Sequence, residues 1–218
     1  AFLDKVVAEL PKLKIVQASQ GIELIGEADH GHGHDQEHNA GHANHHDEEG
    51  SNPHVWVSVS LYIRQVENIA VQLVLLDPAH AEQYRAGAAT YRAKLKKLQA
   101  AMHEGLKELR SRDIITFHEA FPYFAQEFKL HIAAVVEREP GSEPSAREMA
   151  ETIDLIKKSG CRALFVEPQY SPKAAETIAR ECGAQVYTLD PAVTGPMEAD
   201  AYLRIMEQNL ATLQKALK

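Results

Sequence analysis

From residue 113 to the end of the chain, short apolar runs alternate with helix-patterned segments, and this alternation fixes the fold class. Ile114–Phe117, Ile132–Val136, Ala163–Val166 and Gln185–Leu189 read as buried strands, too short and too β-branched or aromatic for helices. Between them fall helical stretches at 120–128 and from Ser145 to Gly160. A third runs from Ser171-Pro172 to Gly183, and a terminal helix spans 198–217. Ser145-Ala146-Arg147-Glu148 has the form of a capping box, and Gly160 and Gly183 stand where glycine stops a helix. Strands that alternate with helices need crossover connections, so the expected class is α/β with a parallel sheet covered on both faces.

The first half reads differently. Phe2–Leu10 has helical spacing and stops at Pro11, and Lys14-Ile15-Val16 is a short strand candidate. Ser58–Leu76 is a helix broken at Asp77-Pro78. The segment 79–109 carries a narrow apolar stripe through Tyr84, Ala88, Tyr91, Leu95, Leu98, Met102 and Leu106. As one helix it would run about 45 Å, long enough to bridge two lobes. The expected organisation is a first lobe over 1–78, a linker helix over 79–110 and a second α/β lobe over 111–218.

A formal net charge of −8 disfavours nucleic acid as a partner and suits a chain that attracts cations. No apolar run reads as long enough to span a bilayer. Ala1–Lys5 already looks helical and carries no signal-peptide pattern, which predicts a processed or truncated product. Cys161 precedes a strand and Cys182 ends the next helix, so both fall at the amino-terminal edge of the sheet. A disulfide and two buried thiols remain alternatives there.

Open parallel sheets bind ligands beyond the carboxyl ends of their strands. His118, Glu167 and Asp190 each follow a strand at that edge, while His54 lies ahead of the long helix. A site of His54, His118 and Asp190 would draw on both lobes, as a cleft binder does. Each residue also has an ordinary structural role open to it: a histidine after a strand as surface or cap, an aspartate before proline as a turn. Glu167, before Pro168, reads as structural or supporting. His80, His103 and His131 read as surface or packing residues.

The strongest compositional signal is the tract from Asp29 to Glu49. Seven of the chain's twelve histidines lie in it (His30, His32, His34, His38, His42, His45 and His46), interleaved with Asp35, Glu37, Asp47, Glu48 and Glu49. Imidazole and carboxylate suit zinc and its neighbours. The composition predicts a solvated loop that binds divalent metal weakly at neutral pH.

These features occur in a telling order. The histidine tract precedes Asn52-Pro53-His54-Val55-Trp56 and a long helix. Phe117-His118-Glu119-Ala120-Phe121-Pro122-Tyr123-Phe124 follows, then Glu139-Pro140-Gly141-Ser142-Glu143-Pro144-Ser145, Phe165-Val166-Glu167-Pro168-Gln169 and Leu189-Asp190-Pro191. Over nearly its whole length the chain closely resembles the zinc/manganese-type periplasmic solute-binding proteins of ABC transporters, in particular their zinc branch. The resemblance implies two α/β lobes with parallel sheets joined by a long rigid helix, and a metal held between the lobes by His54, His118 and Asp190. It implies a periplasmic, monomeric protein that delivers zinc to a membrane permease. Manganese is the lesser cargo, because manganese-preferring members carry a carboxylate where His118 stands. It also implies a leading stretch before the residue matching Ala1, with the opening strands of the first lobe and a further histidine ligand. The expected first lobe is therefore incomplete, with lowered zinc affinity and exposed apolar surface that drives association.

Two rival functions stand beside this one. A zinc hydrolase would need a base, for which Glu119 is available, but His118-Glu119-Ala120-Phe121-Pro122 lacks the second histidine of His-Glu-x-x-His. A metal buffer or adhesion module would act through the loop alone.

Overall fold

The computed structural model describes residues 2–10, 12–26, 50–136, 145–170 and 173–218. The seven histidines of the tract, the Glu139–Pro144 motif and the Ser171-Pro172 cap lie outside these residues.

Four strands form one parallel sheet: β1 (Asp113–Thr116), β2 (His131–Val135), β3 (Ala163–Val166) and β4 (Gln185–Thr188), in the order β2-β1-β3-β4. Period-two alternation splits the strand residues between two cores. Ile114, Ala163 and Phe165 face one core, built with α2 (Val59–Leu76), α3 (Ala81–Gly105), α4 (Pro122–Phe128) and α7 (Ala201–Leu217). Ile115, Leu164 and Val166 face the other, under α5 (Ala146–Ser159) and α6 (Lys173–Cys182). Gly160 and Gly183 take φ of 68° and 69°, the left-handed conformation that ends α5 and α6 with little steric cost.

α1 spans Phe2–Glu9. Lys14–Val16 forms no strand, and Ile15 is 55% exposed. Ahead of α3 the only β-structure among the described residues is an isolated antiparallel bridge, Gly26 with Ser51. The long helix is shorter than its apolar stripe. After a 3-10 turn at Pro78–His80 it runs 25 residues, about 37 Å, and ends at Gly105. Leu106 leaves the helix and is buried, while Gln214 Nε2 of α7 donates to the Gly105 carbonyl at 3.0 Å.

α2 packs along α3 and leaves Ile69, Val71, Leu73, Leu75 and Leu76 exposed, with Leu10 and Leu13 exposed as well. At 18 residues and a mean hydropathy of 1.2, α2 is long and apolar enough to cross a membrane by length and composition. This corrects the expectation that no run reaches that length. Both thiols are free. Cys161 donates to the Asp113 carbonyl at 3.2 Å and Cys182 to the Ile178 carbonyl at 2.9 Å, so the disulfide is absent.

Candidate metal centre

The sheet order reverses between β1 and β3, because the chain goes from β1 outward to β2 and returns to the other side of β1. A crevice opens at the carboxyl ends of strands at such a switch point. His118 leaves β1 there and Glu167 leaves β3. His118 is 8% exposed and Glu167 is 2% exposed, and His118 Nδ1 lies 3.0 Å from Glu167 Oε1. The other Glu167 oxygen accepts from Gln169 Nε2. A carboxylate accepts, so His118 carries its proton on Nδ1 and presents a lone pair on Nε2.

His54 enters the same crevice from a 3-10 turn at Val55–Val57. Its ring lies 5.1 Å from that of His118, with the planes 80° apart. The Asn52 side chain sets its tautomer. Asn52 Oδ1 accepts from the His54 amide N–H at 3.0 Å, which fixes the oxygen end of the amide, and the same oxygen lies 3.1 Å from His54 Nδ1. That nitrogen must donate, so His54 also offers Nε2. Asn52 Nδ2 donates to the Glu119 carbonyl at 2.8 Å, which ties the His54 turn to the loop that carries His118. Tyr123 adds two bonds, donating to the Asn52 carbonyl at 2.8 Å and accepting from the Ile25 amide at 2.9 Å.

Asp190 follows β4 at the same edge, but its carboxylate turns onto its own loop. Oδ1 accepts from the Ala192 amide at 2.7 Å. The buried Asn209 of α7 clamps its backbone, accepting from Asp190 N–H at 2.9 Å and donating to the Asp190 carbonyl at 2.7 Å. The structure therefore brings His54 and His118 together and leaves the Asp190 carboxylate out of the group. Among the described residues no group of three or more His, Cys, Asp or Glu side chains is close enough to hold a metal ion as it stands.

The electrostatics of the crevice suit a cation. Burial lowers the pKa of His54, and the nearby His118 lowers it further against the opposing pull of Glu167, so His54 favours its neutral, ligating form. Burial raises the pKa of Asp190, and the negative charge of Glu167 adds to this against the Ala192 N–H bond. The remaining described histidines lie elsewhere: His80 pairs with Asp77 at 2.7 Å and His131 with Asp113 at 2.8 Å, while His103 packs on Phe128.

Glu167 is the supporting residue the sequence suggests. Asn52, Trp56 and Asn209 are supports the sequence reading missed. Asn209 had a detectable signal: it occupies the buried stripe of α7 with Tyr202, Met206, Leu213 and Leu217, where a polar residue needs a partner.

Fold and crevice together define a class, an α/β protein with a parallel sheet, a long helix and a crevice at the carboxyl ends of the strands. The family model described as "Zinc-uptake complex component A periplasmic" (ZnuA) matches residues 1–216, and the chain belongs to that family. It is 34% identical over 212 residues to the zinc-binding protein AdcA of Streptococcus pyogenes serotype M3, covering 93% of this chain and 41% of AdcA. The chain thus spans less than half the length of that relative. A ZnuA deletion mutant with zinc bound superposes with a TM-score of 0.77 at 30% identity, covering all of this chain (100%) and 74% of its own. FpvC of Pseudomonas aeruginosa, in complex with Mn2+, gives 0.82 at 30% identity over 99% of this chain and 75% of its own. A mutant of the laminin-binding adhesin Lmb of Streptococcus agalactiae gives 0.80 at 28% identity, over 100% and 76%. Zinc is named in the descriptions of the family, of AdcA and of the ZnuA mutant, and Mn2+ in that of FpvC.

Proposed function

We propose that the chain binds zinc in the crevice through His54 Nε2, His118 Nε2 and the Asp190 carboxylate, and serves zinc uptake by an extracytoplasmic solute-binding route. The observation that carries this reading is the matched pair of imidazoles. Each is oriented at Nδ1 by a buried acceptor, Asn52 or Glu167, and among the described residues no hydrogen bond engages Nε2 of either. Metal-ligating histidines have this arrangement, in which the outer partner fixes the tautomer and raises ligand basicity. Asp190 turns from Ala192 to the ion, and water or a loop histidine completes the tetrahedron that zinc prefers. Residues 1–78 then belong to the first lobe, 79–110 to the linker and 111–218 to the second lobe. A membrane permease of the ABC type receives the ion, and the histidine tract collects zinc for the cleft.

The reading is non-enzymatic. His118-Glu119-Ala120-Phe121-Pro122 lacks the second histidine that a His-Glu-x-x-His zinc hydrolase uses. The similarity to a laminin-binding adhesin supports a second reading, adhesion to laminin, which immobilised laminin tests directly.

Chelator competition with His54→Ala and His118→Ala tests the zinc site. Loss of a ligand should weaken binding by more than the 10–100-fold that typically follows loss of an outer hydrogen bond. Wild-type affinity in both variants overturns the assignment.

A further inference from the structure

We infer that Trp56 is the positioning residue that holds the His54 turn and the Asp190 loop at a fixed separation, and thereby sets how tightly the ion is held. The inference rests on the proposed ligand set. Trp56 sits two residues after His54 on the same 3-10 turn, with its ring 5.4 Å from the His54 imidazole. Its indole Nε1 donates to the carbonyl of Pro191, the residue after Asp190, at 2.7 Å and across 135 residues of sequence. Tyr202 of α7 donates to the Trp56 carbonyl at 2.8 Å, so the turn is held at both its side chain and its backbone. Indole nitrogen is a donor only, and the ring has two side-chain torsions, so this bond is directional and stiff.

The surroundings show why such a tie is needed. Trp56, Tyr62, Tyr91, Val193, Tyr202 and Ile205 are among the residues that line an open pocket of about 570 Å³. The loop leaving Asp190 bends at Ala192 and Gly195, with φ of 59° and 126°, and Val193 on it is 47% exposed. Packing thus leaves the loop room to shift toward the pocket. Asn209 fixes Asp190 to α7 within the second half of the chain, whereas Trp56 fixes its neighbour Pro191 to the turn that carries His54. A ligand shell spread over separate loops keeps its geometry only if the loops are tied to one another.

Zinc affinities of the wild type, Trp56→Phe, Asp190→Ala and the double variant test this. Trp56→Phe should weaken zinc binding about tenfold, in the range found when an outer hydrogen bond is removed. The double variant should bind no more weakly than Asp190→Ala, because the group being positioned is already gone. Phenylalanine also removes ring volume, so the isosteric 3-benzothienylalanine at position 56, which has sulfur in place of N–H, separates the bond from the packing. It should reproduce the loss. Wild-type affinity in the benzothienyl protein, or full multiplication of the two losses in the double variant, overturns the proposal. Wild-type affinity in Asp190→Ala overturns the ligand reading beneath it, and this inference falls with it.

Discussion

At the scale of single residues, Asn52 does the most with the fewest atoms. It is 3% exposed, and its one amide orients the His54 ring, accepts the His54 N–H and donates to the loop of His118. Asn52→Ala leaves the Glu119 carbonyl without that donor and the imidazole free to turn. We expect zinc affinity to fall at least about tenfold and the apoprotein to lose about 1–3 kcal/mol. Chelator competition and urea titration measure the two, and an unchanged affinity would show that His54 is oriented by something else. Asp190 carries the opposite balance. Burial and Glu167 raise its pKa, so the folded apoprotein binds more protons there than the unfolded chain between the ordinary carboxylate value of 3.8 and the raised value. Its contribution to apo stability therefore falls as the pH rises through that window and stays unfavourable at neutral pH. Asp190→Asn keeps the oxygen that accepts from Ala192 and removes the charge. It should raise the apo melting temperature at pH 7 while weakening zinc about tenfold or more; a lower melting temperature refutes the electrostatic account. His54 runs the other way. Its pKa is lowered below 6.5, so its contribution is complete above that pH and is lost as the pH falls toward the folded value. His54→Gln should flatten the acid side of the apo stability curve below pH 6.5.

At the scale of elements, α2 depends on a carboxylate far away in sequence. Ser58 is its N-cap and accepts from the Leu61 amide at 3.2 Å, a role its sequence position makes legible. The stronger cap is Glu127 of α4, whose side chain is 6% exposed. Glu127 accepts from Ser58 Oγ at 2.7 Å, from the Ser60 amide at 3.1 Å and from Ser60 Oγ, and it faces His103 Nε2 at 3.4 Å. A negative group at a helix N-terminus is favourable for the dipole and fills orphan donors. Glu127→Ala should cost about 2–3 kcal/mol, with Glu127→Gln in between; urea denaturation giving under about 0.5 kcal/mol would show that Ser58 caps the helix unaided. The elements were legible where the signal is local. The four strands and the glycine stops at Gly160 and Gly183 come from periodicity and backbone sterics, so the sequence placed them within a few residues. Lys14–Val16 failed because a strand needs a ladder partner, which a local pattern does not supply. The shorter α3 reflects Leu106 turning into the core and α7 approaching Gly105. Position after a strand placed His118 and Glu167 at one sheet edge, but their direct pairing follows from β1 and β3 being neighbours, which a linear reading does not contain. Glu127 is the same case: only the fold brings it to Ser58 and Ser60.

At the scale of the whole molecule, the question is how the histidine tract and the crevice divide the work. Residues on either side of the tract are joined. Gly26 and Ser51 form an antiparallel bridge, and Asn52 N–H donates to the Ile25 carbonyl at 2.8 Å. Bridged residues lie about 5 Å apart, so Glu27, Ala28 and Gly50 suffice to close the gap if residues 29–49 are removed. Asn52, which orients His54, sits beside that bridge and is held by Tyr123 and Glu119 rather than by the tract. The crevice should therefore survive the deletion intact. Seven histidines leave the chain with that segment, and the weak, multiple zinc binding they provide should leave with them. In a calorimetric titration, the stoichiometry of the deletion variant should fall to one ion, with the tight phase within about twofold of the full chain. Adding His118→Ala to the deletion should then abolish that phase. If deleting 29–49 removes all zinc binding, the tract is the metal site and the pair of imidazoles at the sheet edge is only structural.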